Sequence, residues 1–322
     1  MPFFDLSLED LVNYTPPCPE PKDFDAFWAE TLQEAQQYPL NATFVPYESG
    51  LKLIDAWDVT FAGYGGQPIK GWYIRPAGVT TPLPCIVEYI GYGGGRGDAA
   101  EWLFWANAGY AHFIMDTRGQ GSSWRKGDTA DIPDGANPSV PGFMTQGVTS
   151  PKTYYYRRVY TDAVRAIEAA RTRSDVIGTK IAVTGGSQGG GISIAAAGLV
   201  PDVAICMPDV PFLCHFRRAV TLIDTFPYAE IAKYLVSHRE KIANTMATLD
   251  YFDGINFSAR IKAHSLYSVA LMDTICPPST VYAAYNHVSA PKDIRTYTFN
   301  NHEGGGHDQS MEKLKFVRDL WG

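Results

Sequence analysis

The sequence predicts an α/β fold with a mostly parallel central sheet and helices on both faces, and three observations predict it. Beyond Pro84, short apolar runs of strand length alternate with longer segments of helical periodicity, as strands alternate with crossover helices. Runs such as Cys85-Ile86-Val87 and Ile181-Ala182-Val183 lack the polar alternation of a half-solvated sheet, so both of their faces are expected to be buried. The chain has 322 residues, 45% hydrophobic and 19% charged, which is the composition of a globular protein able to fill a core.

Each element follows in order. Phe24, Phe27, Trp28, Leu32 and Ala35 recur at three- and four-residue spacing and predict an N-terminal helix over 23–38. Between 43 and 76 the pattern turns strand-like, and Tyr64-Gly65-Gly66-Gln67, set between 57–61 and 69–74, predicts a hairpin and antiparallel edge strands. The parallel strands are expected at 85–90, 111–115, 180–184, 203–207, 265–271 and 294–299, with helices at 99–108, 154–173, 188–199, 279–288 and 310–321. Two stretches break the alternation: about 119–152, rich in Gly, Pro and Asp, and about 210–261, long and largely helical. Both read as insertions over one face, and without a repeat or a linker the chain reads as a single domain over 1–322.

The formal charge of −7 leaves no basic excess to neutralise phosphates, which disfavours nucleic acid or an anionic membrane as partner. Met1-Pro2-Phe3-Phe4-Asp5-Leu6 lacks the basic and apolar opening of a signal peptide, and no run approaches the ~18 apolar residues of a membrane span, so a cytoplasmic location is expected. Cys18, Cys85, Cys206, Cys214 and Cys276 are odd in number and include no C-x-x-C pair, which points to small core residues rather than disulfides or a zinc site.

Chemistry enters at Gly185-Gly186-Ser187-Gln188-Gly189, a G-x-S-x-G between an expected strand and an expected apolar helix. A serine on so tight a turn projects its Oγ above the carboxyl ends of the strands, and the following helix aims its unpaired N–H groups at the same place. Such a hydroxyl needs a base oriented by an acid, in the order Ser, Asp, His. Asp273 follows the strand at 265–271 and His302 follows the strand at 294–299, so both belong to the same sheet edge as Ser187. Two N–H donors for an oxyanion are expected from Gln188 and from Tyr92, in the loop Gly91-Tyr92-Gly93-Gly94-Gly95-Arg96-Gly97. The competing readings are a close-packing turn for 185–189, a helix cap for Asp273, a loop histidine for His302 and a flexible connection for 91–97. His302 and His307 are five residues apart across glycines, which is not the i, i+4 helical spacing of a metal pair, and no metal or other cofactor is expected. His112, His215, His238, His264 and His287 read as packing or surface residues. Trp102, Trp105 and Trp124 either offer flat faces to a sugar or pack in the core.

Arg118-Gly119-Gln120, Gly185-Gly186-Ser187-Gln188-Gly189-Gly190 and His302-Glu303, in this order, make the chain resemble the acetyl xylan esterase / cephalosporin C deacetylase family of carbohydrate esterases. The likeness extends through Phe3-Phe4-Asp5-Leu6, Tyr154-Tyr155-Tyr156-Arg157-Arg158, Tyr251-Phe252-Asp253 and Pro277-Pro278-Ser279-Thr280-Val281. It implies an α/β-hydrolase fold, an intracellular enzyme without a metal, and removal of acetyl groups from acetylated xylo-oligosaccharides and cephalosporin C. It further implies a homohexamer, Ser187, Asp273 and His302 as the triad, the N–H groups of Tyr92 and Gln188 as the oxyanion hole, and a small acyl pocket walled by Tyr92, Pro227 and Ile275. Arg118 is expected to tie loops together. The alternatives are a short-chain esterase or peptidase of the same fold, a hydrolase-fold protein that binds without catalysis, and a metallohydrolase at His302/His307.

Overall fold

The computed structural model describes residues 3–132 and 137–322; Met1, Pro2 and residues 133–136, which fall in the first expected insertion, lie outside them. Its strands are β1 (Thr43–Tyr47), β2 (Ile54–Ala62), β3 (Pro68–Pro76), β4 (Leu83–Tyr89), β5 (Ala111–Met115), β6 (Val176–Gly186), β7 (Ile205–Asp209), β8 (His264–Ala270) and β9 (Lys292–Tyr297). They join in one sheet in the order β1-β2-β3-β5-β4-β6-β7-β8-β9. β1, β2 and β3 pair antiparallel with one another and β3 pairs antiparallel with β5, whereas β5, β4, β6, β7, β8 and β9 run parallel. This is the α/β-hydrolase arrangement that the alternation and the resemblance predict, with the hairpin at 64–67 in its expected place.

The parallel strands are apolar on both sides because helices cover both. On one face, Tyr155–Arg171 and Gln188–Leu199 bury Tyr156, Tyr160, Ile192 and Ile194 with Val87 and Val183 of the sheet. On the other, Leu103–Asn107 and Gly306–Trp321 bring Trp105 and Val317 onto Ile86, Ala182 and Ile205. The chain passes from β4 to β5 on one side and to β6 on the other, so the carboxyl ends of β4 and β6 flank the point where the strand order reverses. Open α/β sheets place their sites there.

Several boundaries differ from expectation. The helix expected at 99–108 is a 3-10 turn, Ala99–Glu101, followed by the helix Leu103–Asn107. Trp102 breaks the two apart with φ −120° and ψ 44°, held by its indole N–H donating to Arg96 O at 2.6 Å. β7 runs to Asp209 rather than ending at 207, and β6 carries on through Gly185 and Gly186. The C-terminal helix begins at Gly306 rather than 310, and a short helix, Leu8–Val12, precedes the N-terminal one, Phe24–Gln36. The stretch 210–261 is helical as expected, with Phe216–Leu222, Tyr228–Ser237, Ile242–Asp250 and Gly254–Ser258. No helix among the described residues is long and apolar enough to cross a membrane. Cys85, Cys206, Cys214 and Cys276 are buried, as core residues should be, and Cys18 is half-buried.

Long-range hydrogen bonds account for the scattered motifs. Asp5 receives the Ser279 N–H at 2.8 Å and pairs with Arg218 at 2.7 Å, tying the N-terminus to the helix Pro278–His287. Asp253 receives the N–H groups of His215, Phe216 and Ile255, and burial pushes its carboxyl up to about 6. Arg118 is fully buried and grips both oxygens of Asp162, at 2.5 and 2.7 Å, with Asp131 and Gln67 also in reach. It ties loops together, as expected.

Candidate active site

Ser187 is the first residue beyond β6 and sits at φ 56° and ψ −118°, a left-handed conformation that side chains rarely adopt. Backbone bonds hold it there: its N–H donates to Asp209 O at 2.9 Å, and its carbonyl receives Phe212 N–H at 2.9 Å. The first and last glycines of the motif are demanded by close approach. A Cβ on Gly185 would lie 2.6 Å from Tyr89 O, and one on Gly189 would lie 2.1 Å from the same atom. Gly186 has nothing within 4 Å of that position and is not demanded.

Asp273 lies three residues past β8 and is wholly buried. Its Oδ1 receives the N–H groups of Ile275 at 2.8 Å and Cys276 at 2.9 Å, and its Oδ2 lies 2.9 Å from His302 Nδ1. One oxygen holds the local turn while the other orients the histidine; the helix-cap reading fails, because the helix Pro278–His287 has Pro277 at its N-cap and no side-chain cap bond. A carboxylate only accepts, so Nδ1–H donates and Nε2 is left facing the cavity. The loop after β9 is drawn toward Asp273 by Met272 N–H on Asn300 O at 3.2 Å and Thr274 N–H on Asn301 Oδ1 at 3.3 Å. Ser187 and His302 open onto the same cavity, of about 770 Å³, without a direct hydrogen bond between them. Such bonds commonly close only around a bound substrate.

Neither the Tyr92 nor the Gln188 backbone N–H has a protein acceptor among the described residues, whereas the neighbouring Gly93 N–H is taken by Gln120 Oε1 at 2.7 Å. Gln120 is the residue that sequence reasoning missed. Its amide also pairs with that of Gln188, at 2.8 and 3.2 Å, so one side chain joins the two loops that carry the free N–H groups. Tyr155 and Tyr156 brace this junction, by hydroxyl bonds to Arg118 O at 2.5 Å and Gln188 Oε1 at 2.8 Å. Only the presence of Gln120 within a family motif hinted at it.

Tyr92, Pro227 and Ile275 all line the cavity. The Tyr92 hydroxyl donates to Glu230 at 2.8 Å and receives Phe143 N–H at 2.9 Å, so it pins both irregular stretches to the loop after β4. Burial, then the Glu230 charge, push the Tyr92 phenol far above the ordinary tyrosine value and keep it a donor; burial also raises Glu230. Of the tryptophans, Trp105 is core at 2% exposure and Trp102 reaches 9%, while Trp124 stands at the mouth at 56%. The Trp124 indole N–H donates to Tyr92 O at 2.9 Å.

His307 lies exposed in the C-terminal helix and is absent from the cavity wall, so the structure does not pair it with His302. Potential ligand atoms of Asp273, Cys276 and His302 do fall within 4.8 Å of one another. The donor set is a poor one, because Asp273 is spent on three N–H groups and burial, then the Asp273 charge, push the Cys276 thiol well above its ordinary value.

The chain matches the acetyl xylan esterase (AXE1) family over residues 1–320. It superposes on the acetyl xylan esterase from Paenibacillus sp. R4 with a TM-score of 0.89 and 41% identity, covering 98% of this chain and 99% of that one. For acetyl xylan esterase 1 from Thermoanaerobacterium sp. JW/SL YS485 the TM-score is 0.88 and the identity 30%, with coverage of 98% and 99%. Acetyl esterase Axe7A of Xylanibacter ruminicola is 28% identical over 98% of this chain and 69% of its own length. The acylaminoacyl peptidase of Pyrococcus horikoshii, at 16% identity and a TM-score of 0.60 over 84% of this chain and 42% of that one, shares the fold alone.

Proposed function

The chain belongs to the acetyl xylan esterase family, a family of carboxylic ester hydrolases, and from that premise we propose that it removes acetyl groups from acetylated xylo-oligosaccharides and cephalosporin C through an acetyl-enzyme on Ser187. One observation carries the reading: a His302 fixed by buried Asp273 shares a cavity with a serine on a strained turn and with two unengaged N–H groups.

In this mechanism Ser187 Oγ attacks the acetyl carbonyl carbon while His302 Nε2 takes its proton, and Asp273 steadies the ring that becomes charged. The carbonyl oxygen, now an anion, is held by the N–H groups of Tyr92 and Gln188, each worth about 3 kcal/mol of barrier. As the tetrahedral species collapses, His302 gives its proton to the departing alcohol. Water then attacks the acetyl carbon, His302 takes the water's proton, and Ser187 leaves with it, releasing acetate. Tyr92, Pro227 and Ile275 supply the small wall around the acetyl methyl. The same reading proposes a single domain over 1–322, a homohexamer and a cytoplasmic location; sedimentation of the purified chain tests the assembly.

The decisive test is Ser187→Ala, with turnover of phenyl acetate and an acetylated xylo-oligosaccharide followed beside thermal melting. The expected loss in kcat is about 10⁴-fold or more with the melt retained; near wild-type turnover would sink the assignment. A steep fall of kcat/KM from acetate to butyrate to octanoate esters is expected of a small acyl wall, and a flat profile would move the reading to a general esterase.

A further inference from the structure

The acetyl group needs little of the main cavity, and the part beyond it differs in chemistry. Next to it lies a second cavity of about 210 Å³, and Glu88 and Trp102 belong to the walls of both. This side cavity sits over the sheet face covered by Leu103–Asn107 and the C-terminal helix, where His112, Ser310 and Lys313 complete it.

Its acidic groups each have a basic partner. Glu88 Oε2 meets His112 Nε2 at 2.9 Å and Glu101 pairs with Arg125 at 2.9 Å, while Lys313 reaches out of the cavity to grip Asp209 in the wall of the main one. Hydrogen-bonding capacity is left over, however. Glu88, whose side chain is 23% exposed, has an Oε1 without a partner among the described residues. The Lys313 ammonium carries three N–H bonds and donates to Asp209 and to Thr184 Oγ1, leaving a third. An unfilled acceptor beside an unfilled donor in one small cavity fits neighbouring sugar hydroxyls, each of which gives and takes a hydrogen bond.

We propose that the side cavity is a binding subsite for a neutral sugar ring next to the acetylated one, with Glu88 Oε1 and Lys313 Nζ pairing its vicinal hydroxyls. The inference rests on the acetylated-sugar reading above and says where the rest of the alcohol lies.

Two variants test it. Glu88→Gln turns the free acceptor into an amide of the same size, and Ser310→Tyr fills the cavity from the helix without touching the charged pairs. The quantity to follow is the ratio of kcat/KM for mono-acetylated xylotriose to that for phenyl acetate. The subsite predicts that this ratio falls about tenfold in both variants, through KM for the trisaccharide, and falls less for an acetylated methyl xyloside of one ring. If Glu88→Gln fails to fold, Ser310→Tyr decides alone. A wild-type enzyme that turns over both esters, with variants that keep its ratio, overturns the subsite and leaves the proposed activity standing. A wild-type enzyme that cleaves phenyl acetate but not the acetylated trisaccharide overturns the substrate reading, and the subsite with it.

Discussion

The Ser187 turn and the loop 91–97 are both glycine-rich, both follow strands of the parallel sheet and each carries one of the two proposed oxyanion donors, yet only the loop adds remote side chains to its backbone supports. Around Ser187 the supports are backbone: Asp209 O and Phe212 N–H fix the residue, and Tyr89 O presses on Gly185 and Gly189. Around Tyr92, backbone bonds such as Gly95 N–H to Arg125 O at 3.0 Å and Gly97 N–H to Lys126 O at 2.9 Å are joined by side chains arriving from far along the chain, Gln120 on Gly93 N–H, Trp124 on Tyr92 O and Glu230 on the phenol. A turn held by backbone contact demands glycine at set positions and so writes a motif. The loop demands glycine too, since a Cβ on Gly95 would lie 2.2 Å from Gly127 Cα, but its side-chain supports stand far away in the chain and add nothing to a local motif.

The largest effect is expected at Gly189, where a Cβ would lie 2.1 Å from Tyr89 O. Gly189→Ala drives a methyl into Tyr89 O, where only backbone can give way, and the expected result is a loss of about 10²-fold or more in kcat together with a lower Tm. Gly186→Ala is the matched contrast, with open space and an ordinary φ, and its Tm should stay within about 1 °C of wild type. Equal melting of the two would show that the turn is not held by backbone contact.

Gln120→Ala attacks the side-chain supports. It frees Gly93 N–H and breaks the link to Gln188, which keeps only Tyr156 and Ile90 O, so the two loops that carry the proposed donors are no longer joined, and a fall of about tenfold in kcat with little change in KM is expected in steady-state kinetics. Retained kcat would show that the loop 91–97 holds its shape unaided. Tyr92→Phe is milder, because it keeps the ring and the backbone N–H and removes only the hydroxyl's bonds to Glu230, Gly142 and Phe143. A loss of about 1 kcal/mol in stability and a few-fold in kcat is the expected reading.

The smallest effect concerns the segment behind Ser187, whose start is capped by Asp253. Burial raises this carboxyl from 3.8 to about 6 in the fold, so its contribution to stability is full below about pH 4 and declines as pH rises through 6. Asp253→Asn removes the titration, and whatever its constant cost, the difference in Tm between variant and wild type should shift in the variant's favour from pH 4 to pH 6. A difference that is flat over that window would refute the assigned direction.

The sequence alone determined a good deal here. The apolar runs at β4, β6 and β8 are legible because strands buried on both faces must be continuously apolar, and Ser187, Asp273 and His302 are legible because each ends a strand of such a sheet. What was misread has a local cause: Trp102 looks helical by its neighbours, but an indole bond to Arg96 O outweighs their propensity. Gln120, the Tyr92–Glu230 bond and the side cavity at Glu88 and Lys313 were decided only by the tertiary structure. Gln120 and Gln188 are 68 residues apart, and Tyr92 and Glu230 are 138 apart. Such pairs have no period or spacing to mark them, since a side-chain bond across the fold depends on where the backbone carries its partners and not on what stands beside them in the chain.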